Sequence, residues 1–122
     1  MAKWRWVAAG ASLMMASSVQ AMPAETFLAK VDALMAKGPL ALFSSDVGLL
    51  KREGQRAGAE LRAERLALLA QHQSPAYCPP AKSGMSSDEL IARLRRIPKR
   101  ELARMDFKAA MKQVLIDKYP CR

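Results

Sequence analysis

The sequence predicts an all-α fold, a small single-domain bundle of about four helices closed by one disulfide. Three observations carry this. Apolar residues recur at three- and four-residue steps along most of the chain, and no segment sustains the period-two alternation of a strand. The only two cysteines, Cys78 and Cys121, stand in a chain whose first residues read as an export signal.

That signal spans residues 1–21. Lys3 and Arg5 form a basic start, Val7 to Met15 an apolar stretch, and the small residues that follow place Val19 at −3 and Ala21 at −1 of a cleavage site. A membrane span needs roughly 20 apolar residues, and this run offers only about a dozen. Cleavage after Ala21 leaves residues 22–122 as one domain with no membrane-spanning segment. Lys3 and Arg5 leave with the leader, so 18 basic residues face 11 acidic ones, a net charge of +7. A chain of this length buries a core just large enough to fold, and a covalent staple helps.

In an oxidising compartment the isolated pair Cys78 and Cys121 is most simply a disulfide. A nucleophilic cysteine would want a histidine beside it, and the single one, His72, falls at the polar end of a helix. Zinc needs four ligands, whereas the chain holds three cysteine or histidine residues in all.

The first helix opens at Pro23, where a missing N–H costs nothing. Phe27, Leu28, Val31, Leu34 and Met35 give it one apolar face, and Lys37-Gly38-Pro39 stops it. After a brief apolar turn at Leu40, Leu42 and Phe43, Ser44 and Ser45 offer a cap, with Asp46 in the first turn. The longest helix then runs to Gln71 along a stripe of Leu50, Gly54, Ala57, Leu61, Glu64 and Leu68. The small residues Gly54, Ala57, Gly58 and Ala59 predict close packing on a neighbouring helix. The other face is a mixed charge array in which Glu60 and Glu64 can pair with Arg56 or Arg65. Ser74-Pro75, Cys78-Pro79-Pro80 and Ser83-Gly84 break the chain from Gln73 to Met85. Ser86 with Glu89 reads as a capping box for a third helix, which buries Leu90, Ile91 and Leu94 and stops at Pro98. Asp106 caps the last helix, with Phe107, Ala110, Met111, Val114 and Leu115 inward.

No catalytic constellation emerges, and no cofactor or metal spacing does either, so the chain reads as a non-enzyme. Asp88 and Glu89 are adjacent on a helix and point apart, which suits capping. Arg93, Arg95, Arg96, Lys99, Arg100 and Arg104 form a basic cluster. Export and the lack of interleaved aromatics argue against nucleic acid. A solvated face, an acidic protein or the anionic envelope remain.

The second half resembles a known family. Tyr77-Cys78-Pro79-Pro80, a polar gap, the helix from Ser87 to Leu94, Ile97-Pro98, and a final helix ending Lys118-Tyr119-Pro120-Cys121 are similar to the Rap/Tai proteins. These are periplasmic immunity proteins that bind type VI secretion amidase effectors. The resemblance covers roughly Tyr77 to Cys121, and the first half carries no mark of the family. It implies a periplasmic helical protein, in some members a homodimer, that occludes a peptidoglycan amidase. The contact surface it suggests is the stapled loop and the helix start after it, at Pro79, Pro80, Lys82, Met85, Ser86 and Asp88. The competing expectation is a small periplasmic stress chaperone, for which Met85, Met105 and Met111 would supply adaptable surface.

Overall fold

The computed structural model describes residues 21–122. The leader expected over residues 1–21 lies, but for Ala21, outside the described residues. Those described form α1 (Ala24–Lys37), a 3₁₀ segment (Gly38–Phe43), α2 (Ser45–Ala70), α3 (Ser87–Leu94), α4 (Lys99–Leu102) and α5 (Phe107–Lys118). Among them there is no strand, only an isolated bridge between Pro23 and Asp106. The fold is therefore all-α, as the periodicity predicts.

The helix starts follow the capping chemistry in the sequence. The Ser44 hydroxyl accepts from the Asp46 N–H, Ser86 from Glu89, and the Asp106 carboxylate from Ala109. Gly38 ends α1 at φ 57° and ψ −134°, a conformation that side-chain-bearing residues rarely adopt. At the end of α2 the left-handed position falls to His72, φ 57°. Its N–H donates to the Leu69 carbonyl and that of Gln73 to Leu68, the paired bonds of a Schellman motif. The sequence reading does not anticipate α4. Pro98 stops α3 and also starts a new turn, whose Glu101 and Leu102 N–H groups both donate to the Pro98 carbonyl. Four residues are too few to show a period, but buried Leu102 pins them to the core.

The core gathers Phe27 and Val31 of α1, Leu50, Ala57 and Leu61 of α2, Leu94 of α3, and Phe107, Ala110, Met111 and Val114 of α5. At its centre Phe27 and Phe107 stack with ring centroids 3.9 Å apart. α5 is the central helix: α1, α2 and α3 all pack on it. The segment before α1 is tied in as well. Phe107 N–H donates to the Met22 carbonyl at 2.7 Å, Ala24 N–H to Met105, and Met22 N–H to Glu53 Oε1 at 3.4 Å.

Three expectations need correction. Met35 does not face into the core; it is 61% exposed, with its sulfur 3.6 Å from Arg95 Nη2 at the surface. Glu64 leaves the inward stripe of α2 and pairs with Lys108 of α5 rather than with Arg65. Most consequential, Gly54 and Gly58 do not pack against a helix. A Cβ at either would meet nothing within 4 Å, and only Ala57 between them is buried in a helix contact. No single described helix is long and apolar enough to cross a membrane.

Candidate functional site, an apolar groove beneath a stapled loop

The space over Gly54 and Gly58 belongs to a groove of about 1160 Å³. α2 and α3 both pack on α5, and they are joined by a loop too proline-rich to form a helix that would fill the space between them. Phe27, Val31 and Leu34 of α1 and Met111 and Leu115 of α5 make an apolar floor. One wall is the face of α2 from Val47 to Arg65. The other is the loop from Pro79 to Ser86 with Leu90 and Ile91 of α3.

The loop wall is held at both ends. Tyr77 is buried, and its hydroxyl donates to the Leu61 carbonyl at 3.1 Å. The same burial pushes the phenol above its ordinary pKa, against the nearby Arg65 charge. Next in the chain, the Cys78 N–H donates to the Tyr119 carbonyl at 2.8 Å, and the disulfide joins Cys78 to Cys121. At the far end, Lys118 Nζ donates to the Gly84 carbonyl and to both oxygens of Glu89, at 2.7 and 2.8 Å, while the Tyr119 hydroxyl also donates to Gly84. Lys118 first and Arg93 second hold the Glu89 carboxyl below its ordinary pKa, and Glu89 in turn raises that of Lys118. The last turn of α5 thus grips the loop from beneath.

The α2 wall differs in charge from the back of the same helix. At the back, Arg56 lies between Glu53 and Glu60, and Lys108 of α5 reaches Glu60 and Glu64. Hydrogen bonds from Arg56, then Lys108, hold the Glu60 carboxyl below its ordinary pKa. On the groove side stand Lys51, Arg62 and Arg65, with no carboxylate within 4 Å of any of them among the described residues. Among the described residues no Asp or Glu lines the groove.

Of the six contact residues expected from sequence, Pro79, Pro80, Met85 and Ser86 line the groove. Lys82 and Asp88 do not line it and point to solvent. Sequence reasoning missed the whole α2 wall. Its signal was present: Lys51, Arg62 and Arg65 have no Asp or Glu three or four residues away on either side, whereas Arg56 has Glu53 and Glu60. None of the six residues of the basic cluster in the second half lines the groove. Arg93 turns to Glu89, and Arg95 to Asp32 and the Met35 sulfur at the groove's edge; neither arginine lines the groove itself. No three of His, Cys, Asp or Glu gather as metal ligands among the described residues.

Comparison with protein-family models, with curated proteins and with solved structures yields no match for this chain.

Proposed function

We propose that this chain is an exported, non-catalytic binding protein of the periplasm, and that it occludes a secreted peptidoglycan amidase by docking onto it. The observation that carries the binding half of this reading is the groove with its pre-formed loop wall. A loop tied at Tyr77, Cys78, Gly84 and Glu89 loses little further entropy on binding, which is what a rigid docking edge requires. The partner's identity rests on the resemblance between Tyr77 and Cys121, whose loop contributes four of the six expected contact residues to the groove.

Mature protein beginning at Met22 should be immobilised and offered purified secreted amidases, with peptidoglycan hydrolysis followed in parallel. The expected result is retention of one amidase and loss of its turnover near equimolar inhibitor. Exposed Leu40, Leu42 and Phe43 favour the second reading, a stress chaperone, since a contiguous apolar patch suits an unfolded client. Suppression of acid-induced aggregation without inhibition of any amidase would replace the first reading with the second.

A further inference from the structure

Resting on the reading of the chain as a protein-binding module, we propose that the groove takes an acidic amphipathic helix from its partner. The groove wall on α2 extends from Val47 to Arg65, about 27 Å at the rise of an α-helix. Its floor of Phe27, Val31, Leu34, Met111 and Leu115 is apolar, and this matches the apolar stripe of a helix with anchors at i, i+3, i+4 and i+7. Gly54 and Gly58, one helical turn apart, leave the middle of the wall open, so another backbone can approach α2 closely there.

Charge decides the sign of the occupant and also its kind. Lys51 sits near one end of the wall, and Arg62 and Arg65 near the other, about 16 to 21 Å away along the helix axis. An anionic amphiphile carries its charge on one head group and would satisfy one end only. A helix with Glu or Asp spaced along its flank satisfies both. A second copy of this chain is a poor occupant, because the mature chain is itself strongly basic.

The test is fluorescence anisotropy with a labelled synthetic helix of about 18 residues, long enough to span the wall. It carries leucines at i, i+3, i+4 and i+7 and glutamates on the flanks. Two control peptides replace the glutamates by lysine or the leucines by serine. The acidic amphipathic peptide should bind, neither control should, and affinity should fall as salt is raised. The double variant Arg62→Glu and Arg65→Glu should lose about tenfold or more through like-charge repulsion. Gly58→Leu, which fills the groove and strengthens α2, should abolish binding while circular dichroism and melting show an intact fold. Equal binding of the lysine and glutamate peptides, indifference to both variants, or a groove that takes oleate but not the peptide would each overturn the proposal. So would self-association that buries the groove. If an amidase is inhibited equally by wild type and Gly58→Leu, the proposed function stands and this inference falls.

Discussion

His72 holds a backbone position that usually belongs to glycine. Its left-handed conformation costs an L-residue roughly 1 kcal/mol, and the Schellman bonds of Leu68 and Leu69 enforce it. His72→Gly should therefore raise stability by up to about 1 kcal/mol, read as a higher urea midpoint at unchanged slope. The stacked pair at the centre works in the other direction. Phe107 is fully buried against Phe27, so Phe107→Ala should cost about 3–5 kcal/mol, enough to unfold much of a small domain. Glu89 and Glu60 each contribute to the acid limb of stability. Both have native pKa values below the ordinary 4.5, so their contribution is complete above that value and is lost as pH falls through the lower native one. Lys118→Met removes the main partner of Glu89. In urea titrations at decreasing pH, the gap between wild type and this variant should narrow once the carboxylates protonate. The Lys118 side of the pair behaves conversely, being complete below 10.5 and lost as pH rises through its raised native pKa. The Phe27–Phe107 stack and the Lys118–Glu89 pair are not legible at the residue itself, because each joins distant segments, whereas the Arg56–Glu60 pair is local and follows from helical spacing.

Helices, by contrast, were largely legible, since caps and periods are local. Ser44, Ser86 and Asp106 each announce a start that the structure keeps, and Gly38 and Pro98 each announce a stop. The α4 turn was not legible, because one turn has no period and its stability comes from burying Leu102. The reading of α2 failed at its glycines for a related reason. Small residues permit close approach, but only tertiary structure decides whether anything approaches. Here nothing does, which gives a prediction of unusual sign. Gly54→Ala and Gly58→Ala should each stabilise the domain by about 0.5–1 kcal/mol, because they gain helix propensity and meet no clash. Thermal unfolding followed at the helical far-ultraviolet band would report it. A loss of stability would mean that the glycines carry a contact.

At the scale of the whole molecule, the groove was half legible. The loop wall followed from prolines, cysteines and a capping box that lie together in sequence. The α2 wall, a long helix away, needed the chain to fold back over α5. The disulfide connects these two levels. It closes a segment with a sequence separation of 43, for which the chain-entropy model gives at most about 4 kcal/mol. Both cysteines are exposed, whereas the Phe27–Phe107 core lies elsewhere. Reduction should therefore lower the urea midpoint and leave the far-ultraviolet spectrum helical in the absence of denaturant. Loss of the helical signal on reduction alone would show that the staple, rather than the core, sustains the fold. The tie at Met22 bears on the cut proposed after Ala21. In a precursor, Met22 offers Glu53 only a neutral peptide N–H. In a chain cut after Ala21 the same nitrogen is an ammonium, 3.4 Å from a carboxylate whose side chain is only 12% exposed. Such a cut would add a second cation beside a carboxylate that Arg56 already holds, and the trimmed domain should be firmer at this corner than the uncut chain.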